Sequence, residues 1–194
     1  MFSFEIKLLS SGSFIEIVAP DSPEFFKQLS DRFSLSRDLR HAFNYIPLKS
    51  PMDYYYVSSK YGYRKDPKTG QRRFHRGIDL AGTWHEDVLA PADGIVRLAK
   101  RHFGFGKMVE LQHGRGFYPG QKKTVRYRTR YAHLSKILVK RRQRVSRGDR
   151  IGLVGSTGRS TGPHLHYEIL INNRRSDPML TISRFNSEKR LYVR

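Results

Sequence analysis

After residue 87 the sequence consists of short segments of β type, separated by Gly, Pro or Asp residues. Helical spacing of apolar residues is weak in this region, so few helices are expected. Short strands joined by tight turns pair mostly as antiparallel neighbours. The pattern therefore predicts a domain made mainly of antiparallel β-sheet, with strands over residues 88–90, 94–99, 107–112, 125–133, 150–154 and 164–171.

The first 47 residues have a different pattern. Apolar and polar residues alternate over residues 2–8, and β-branched side chains are frequent over residues 14–18, which together predict a β-hairpin. Asp21 and Pro23 then begin a segment with Phe residues at helical spacing. We predict four parts of the chain: a small α/β module over 1–47, a Pro-flanked linker over 48–57, the β domain over 58–182, and a basic C-terminal tail over 183–194.

The charge of the chain constrains its partners. The sequence has 37 Lys and Arg residues against 17 Asp and Glu residues, a formal net charge of +20. Nucleic acid is the first partner such a charge suggests, but the helix-turn-helix pattern and the aromatic motifs of RNA-binding proteins are absent. We therefore disfavour nucleic acid. An anionic cell wall, an acidic membrane surface or simply a solvated basic surface accounts for the charge.

Five residues are the main candidates for chemistry: His75, Asp79, His133, His164 and His166. Residues two apart in a strand point the same way, so the last two histidines should face one target. Two imidazoles and a carboxylate can hold zinc and leave one position open for water. The remaining histidines can move protons. Spacing alone does not separate this interpretation from ordinary histidines, because the chain contains eight of them.

The surrounding sequence resembles the M23 peptidase family, also called the LytM or lysostaphin type. The resemblance runs from about residue 58 to residue 180, and the segments that carry it occur in the family's order. It implies the same mainly β catalytic fold, with a groove across the sheet, and places the zinc peptidase domain at residues 58–182. The segments are YGYRKDP (61–67), FHRGIDL (74–80), APADGIV (90–96), YAHLS (131–135) and IGLVGSTGRSTGPHLHYE (151–168).

The resemblance also implies roles for the five residues. His75, Asp79 and His166 would be the three protein ligands of Zn²⁺, which lowers the pKa of a bound water and polarises a carbonyl. His133 and His164 would be the catalytic pair that handles protons and stabilises the oxyanion. We assign the general base to His164, although His133 could also serve.

Further residues are expected around the groove. Tyr61 and Arg64 would line it, and the Gly-rich loop that leads into the last histidine pair would bring Ser160 and Thr161 to the substrate. The alternatives are surface roles for Tyr61 and Arg64 and a simple tight turn for the loop. We favour the substrate role of the loop because it leads into His164. Glu168 lies on the face of the histidine pair and would either orient a ligand or be a structural carboxylate.

These expectations define a function, a location and several alternatives. The chain is expected to be a zinc metallo-endopeptidase that cuts the peptide cross-links of bacterial peptidoglycan, with the bond from D-alanine to diaminopimelate favoured. The alternatives are a D,D-carboxypeptidase acting on stem peptides, a non-catalytic activator of another wall hydrolase, and a basic binding module. The periplasm or cell envelope is the expected location. Residues 1–5 do not resemble a signal peptide, so we expect an export signal or membrane anchor to precede Met1 in the natural protein. The sequence does not predict the oligomeric state.

Overall fold

The structure of the protein, a computed structural model, describes residues 44–117 and 124–182. The described elements are thirteen strands and one helical turn near residue 180. They are β1 (Tyr56–Ser59), β2 (Gly62–Lys65), β3 (Arg72–His75), β4 (Ile78–Ala81), β5 (Asp87–Leu89), β6 (Gly94–His102), β7 (Gly106–Phe117), β8 (Thr124–Leu134), β9 (Lys136–Ile137), β10 (Arg144–Val145), β11 (Arg150–Leu153), β12 (Leu165–Ile171), β13 (Arg174–Ser176) and α1 (Pro178–Ile182).

The main sheet has eight strands, and all of its pairings are antiparallel. Its order is β1-β4-β12-β8-β7-β6-β10, with β13 also paired to β12. Strands β5, β11 and β9 form a second sheet, and β2 and β3 form a hairpin. Asn172 and Asn173 join β12 to β13 with positive φ angles of 48° and 68°, as a two-residue turn of type I′ requires. The predicted antiparallel β architecture is confirmed.

The two faces of β12 are both buried but differ in chemistry. Leu165, Tyr167 and Ile169 point into the hydrophobic core, where each is 0% exposed. His166 and Glu168 alternate with them and therefore point to the opposite face. The apolar face fixes the register of the strand, because a shift by one residue would bring the histidine and the glutamate into the core.

The predicted linker contributes to the core of the β domain. Leu48 is 1% exposed and Met52 is 0% exposed, and β1 begins at Tyr56 and pairs with β4. Almost all of the predicted module at 1–47, and all of the tail at 183–194, lie outside the described residues, so the division of the chain into domains stays a prediction. Within the described ranges, no helix has the length and apolar content needed to cross a bilayer.

All six predicted strands are present, with ends that differ by a few residues. Strand β7 is longer than predicted and reaches Phe117. The hairpin β2–β3 was not predicted, because its strands are short, charged and largely exposed and therefore have little apolar alternation. This hairpin matters for the site, since its last residue is His75.

Candidate metal centre and active site

Three buried side chains meet where β4 pairs with β12. His75 Nε2 lies 3.1 Å from Asp79 Oδ1 and 3.0 Å from His166 Nδ1, and the latter two atoms are 2.9 Å apart. His75 ends β3, whereas Asp79 and His166 are direct cross-strand partners on β4 and β12. The three residues are each less than 10% exposed. The fold thus brings together two imidazole nitrogens and one carboxylate oxygen from three strands.

Each of these side chains is fixed by a second partner on its outer side. His75 Nδ1 donates to the carbonyl oxygen of Lys60 at 2.8 Å. His166 Nε2 lies 3.4 Å from Glu168 Oε1, and Arg64 Nη2 donates to Asp79 Oδ2 at 3.1 Å. Outer acceptors of this kind set the tautomer of each ring and leave the inner nitrogen without a proton, as a metal ligand must be.

The donor set fits a zinc ion. Zinc bonds of about 2.0–2.1 Å at tetrahedral angles place ligand atoms about 3.3 Å apart. The distances of 2.9, 3.0 and 3.1 Å among the three donor atoms are within a few tenths of an ångström of that spacing. Two nitrogens and one oxygen also match the ligands of catalytic zinc sites, in which a fourth position stays open.

Two further histidines lie beside His75, Asp79 and His166, the three candidate ligands that are called the metal-ligand group below. The ring centroid of His133 lies 4.8 Å from the ring centroid of His164 and 5.9 Å from that of His166. His164 Nε2 lies 3.7 Å from Asp79 Oδ1. His133 Nδ1 donates to the carbonyl oxygen of Thr157, and His164 Nδ1 donates to that of Gly162, each at 2.8 Å. Both rings therefore keep Nε2 available to accept a proton.

The electrostatics of the ligand group favour a positive charge at its centre. Burial opposes protonation of His166, but its contacts with Asp79 and Glu168 outweigh burial and raise the pKa of His166 to about 9. Burial would raise the pKa of Asp79, yet its contacts with the imidazole rings of His166 and His75 hold that pKa well below its usual range. Either a proton or a metal cation supplies this positive charge. A metal ion that binds here must therefore displace the proton.

His133 has the opposite environment. Burial lowers the pKa of His133 to about 4, although the hydrogen bond to the Thr157 carbonyl raises it, and the neighbouring His164 and His166 lower it further. The ring is therefore neutral at pH 7. A neutral imidazole with one bare nitrogen can act as a base or accept a hydrogen bond.

Two glycines allow the loop 155–163 to pack against the turn before β7. Gly106 and Gly158 both have positive φ angles, 66° and 77°. A Cβ on Gly106 would lie 2.4 Å from the Thr157 carbonyl, and one on Gly158 would lie 2.3 Å from the nitrogen of Gly106. This close approach holds Thr157, whose Oγ1 donates to the carbonyl of Leu134 at 2.8 Å. It thereby places the carbonyl that orients His133.

The four residues predicted to bind substrate lie in different environments. Tyr61 is half-buried and makes an edge-to-face contact with Phe74, with ring centroids 5.1 Å apart. Arg64 contacts the metal-ligand group through Asp79, as described above. Ser160 donates to the Gly162 carbonyl at 2.7 Å and therefore shapes the loop. Thr161 is exposed.

Among the other histidines, the described ones, His85, His102 and His113, lie apart from this group. His85 and His102 are exposed. His113 is 2% exposed, donates from Nδ1 to the Asp93 carbonyl and contacts Thr129 Oγ1 through Nε2, each at 2.8 Å. His41 lies outside the described residues. The acceptor carbonyls of Lys60, Thr157 and Gly162 were not predicted, because any residue supplies a carbonyl and the side chain gives no signal.

Comparisons with known proteins agree with this geometry. The sequence pattern of Peptidase family M23 matches residues 73–178. The peptidoglycan DD-endopeptidase ShyA of Vibrio cholerae is 37% identical over 170 residues, which cover 87% of this chain and 35% of ShyA. The chain therefore spans about a third of the length of that relative.

Solved structures have the same fold. A zinc-containing peptidase from Vibrio cholerae superposes with a TM-score of 0.55 at 41% identity, covering 66% of this chain and 38% of the other. The catalytic domain of lysostaphin from Staphylococcus simulans superposes with a TM-score of 0.52 at 32% identity, covering 65% of this chain and 90% of that domain. The predicted LytM-type fold is confirmed for the β domain.

Proposed function

Because the chain belongs to peptidase family M23, we propose that it is a zinc-dependent endopeptidase that hydrolyses peptide cross-links of bacterial peptidoglycan. The observation that carries this proposal is the arrangement of His75, Asp79 and His166, with donor atoms 2.9–3.1 Å apart and two further histidines beside them. The similarity to a relative named as a peptidoglycan DD-endopeptidase supports the substrate.

His75, Asp79 and His166 hold the zinc ion in this proposal. Bound there, zinc supplies a Lewis acid that polarises the scissile carbonyl and lowers the pKa of water. The protein keeps these ligands in place through the carbonyl of Lys60, the carboxylate of Glu168 and the guanidinium of Arg64. These partners restrict ring rotation, so the ligand atoms are arranged before metal or substrate arrives.

His164 and His133 handle the protons. His164 Nε2 accepts the proton of the attacking water and returns it to the leaving amine, because its Nδ1–H is occupied by the Gly162 carbonyl and Nε2 faces the ligand group. His133 lies next to it with the same orientation, its Nδ1–H directed at Thr157. It assists by accepting a hydrogen bond from the attacking water at its bare Nε2.

The groove around this centre binds the peptide. Tyr61 and Arg64 on the hairpin side, and Ser160 and Thr161 on the loop side, contact substrate in this proposal. The bond from D-alanine to diaminopimelate is the favoured target. Since peptidoglycan lies in the cell envelope, the protein acts there, with its excess of positive charge toward anionic wall or membrane components.

Digestion of purified peptidoglycan tests the function. Zinc-loaded protein should convert cross-linked muropeptides to monomers, identified by mass, and His166→Ala should release none. Release of terminal D-alanine alone would instead identify a carboxypeptidase. A zinc-loaded, folded protein that releases no product from sacculi or soluble dimers would contradict the proposal.

A further inference from the structure

A row of charged side chains crosses the main sheet next to the metal-ligand group. Glu110 on β7, Arg130 on β8 and Glu168 on β12 are direct cross-strand partners in that order. Both carboxylates are 0% exposed. Arg130 donates from Nε to Glu110 Oε2 at 2.5 Å and from Nη1 to Glu168 Oε2 at 3.1 Å. One guanidinium therefore bridges two buried carboxylates.

The row contains more cations than its carboxylates require. Four guanidinium groups contact the two carboxylates, so two positive charges remain in excess. Buried carboxylates need hydrogen bonds and a compensating charge, and fewer arginines would supply both. The four arginines are Arg97, Arg128, Arg130 and Arg175.

Two of these arginines have unused donors near the metal-ligand group. Arg130 Nη2 has no hydrogen-bond partner in residues 44–117 and 124–182, and its side chain is 19% exposed. Arg175 contacts Glu168 Oε2 through Nε alone, at 3.4 Å, and its side chain is 32% exposed. Both guanidinium groups converge on Glu168 Oε2, while Glu168 Oε1 faces His166.

This pair lies on the same sheet face as the metal ligand His166. Glu168 is two residues from His166 along β12. The row formed by Glu110, Arg130 and Glu168 therefore lies about 7 Å from His166 along the strand direction. Strands β4 and β13 share one edge of β12, where Asp79 is opposite His166 and Arg175 is opposite Leu170, four residues further along β12. Because both guanidinium groups contact Glu168, an extended peptide that runs along β12 from the metal centre would reach them after about two residues.

We propose that Arg130 and Arg175 form a binding subsite for a free carboxylate of the peptide substrate. The inference rests on the proposed function and specifies its substrate. Diaminopimelate has two carboxyl groups, so a cross-linked stem retains carboxylates that take no part in peptide bonds. The guanidinium donors match a carboxylate in shape and charge, and the excess of two positive charges favours an anion over a neutral group.

A comparison of two substrates tests the subsite in the wild-type protein. One is a soluble cross-linked muropeptide dimer, and the other is the same dimer with its free carboxyl groups converted to carboxamides. We expect kcat/KM to fall by roughly 10-fold or more for the amidated dimer, mainly through KM, because charge-assisted hydrogen bonds are lost. Equal kcat/KM values for the two dimers would overturn the subsite.

Neighbouring variants on β13 provide the matched control. Arg175→Gln should lower kcat/KM by roughly 10-fold on the free-acid dimer and leave the amidated dimer unchanged. Arg174→Gln removes the same charge from the same strand, but alternation puts that side chain on the other face, so both dimers should react as with the wild type. An equal loss on both dimers in Arg175→Gln would assign that residue to positioning Glu168 and would overturn the subsite.

Calorimetric binding of the two dimers to zinc-loaded protein separates the subsite from the reaction. Roughly 10-fold tighter binding of the free-acid dimer, without cleavage of either dimer, would support the subsite and contradict the proposed function. Equal binding of both dimers, with normal cleavage, would support the proposed function and overturn the subsite.

Discussion

Arg159 Nη2 donates to both carboxylate oxygens of Asp66, each at 2.9 Å. Asp66 follows β2 in the hairpin that carries Arg64 and His75, whereas Arg159 lies in the loop that leads to His164. The carboxylate is 8% exposed and also accepts hydrogen bonds from the backbone nitrogens of its own turn. This ion pair therefore connects the hairpin that carries His75, a proposed metal ligand, to the loop before His164, the proposed base.

Loss of the ion pair between Asp66 and Arg159 should impair catalysis more than it impairs folding. Arg159→Gln or Asp66→Asn should lower kcat/KM by roughly 10- to 100-fold, because small displacements of a catalytic group have effects of this size. Zinc content should be unchanged. The double variant should be no worse than either single variant, since both remove one interaction. Arg73→Gln is the control, because Arg73 also contacts Asp66 but lies in the same hairpin. Equal effects of Arg73→Gln and Arg159→Gln would show that the link between elements is unimportant.

The metal-ligand assignment predicts zinc content. Purified protein should contain close to one zinc ion per chain, and His166→Ala and Asp79→Ala should lose it, because two ligands hold a catalytic zinc poorly. Glu168→Gln should retain zinc with roughly 10- to 100-fold weaker affinity, since it weakens the orientation of His166. Elemental analysis with a competing chelator measures both effects, and His85→Ala, an exposed histidine, is the control. An active protein without metal would contradict the assignment.

Removal of a proton-transfer histidine should separate binding from chemistry. His164→Ala and His133→Asn should keep zinc and lose activity by roughly 100-fold or more. Asparagine is chosen for His133 because this residue has a φ of 62°, a left-handed conformation that Asn tolerates. Hydrolysis of a soluble dimer, measured beside zinc content, decides the roles. Wild-type turnover in either variant would remove that residue from the mechanism.

The net charge of +20 predicts salt-sensitive attachment to anionic surfaces. Sedimentation with anionic lipid vesicles or intact sacculi should decrease steeply as salt rises through physiological strength, where surface charges are screened over about 8 Å. Hydrolysis of a small soluble dimer should change much less. Attachment that is insensitive to salt would show that the charge has no docking role.

Much of the site could be predicted because it rests on strand alternation. The spacing of His164 and His166 predicts that they face one target, and the pairing of β12 with β4 places His166 opposite Asp79. Spacing was less informative for His75 and Asp79. These residues lie on two different strands, and a turn rather than a helical face brings them together.

Other parts of the site depend on contacts that leave no local signal. Thr157 orients His133 through its backbone carbonyl, which any residue possesses, and only the close packing of Gly106 and Gly158 places that carbonyl. Asp66 and Arg159 are 93 residues apart. Arg130 lies in a segment of alternating arginines, a pattern typical of an exposed strand face, yet its strand partners are two buried carboxylates. Such long-range pairs can be predicted only when the register of the strands in the sheet is known.

His113 gives a prediction for acid stability that is independent of zinc chemistry. Its neutral ring donates to Asp93 and accepts from Thr129, so protonation would remove an acceptor in a buried site. Burial lowers the pKa of His113 from 6.5 to about 4. Between these values the unfolded chain binds a proton that the folded chain does not, so this contribution to stability is complete above pH 6.5 and is lost as pH falls toward 4.

Urea unfolding at pH 7 and pH 5 measures this contribution. The wild-type protein should lose about 2 kcal/mol more unfolding free energy across that interval than His113→Asn, although the variant is less stable at pH 7. Acidification of other groups, including His133, affects both proteins alike and cancels in the comparison. His102→Asn, which replaces an exposed histidine, should lose as much stability as the wild type. An unchanged loss in His113→Asn would show that His113 is protonated in the fold at pH 5 or that its site admits water.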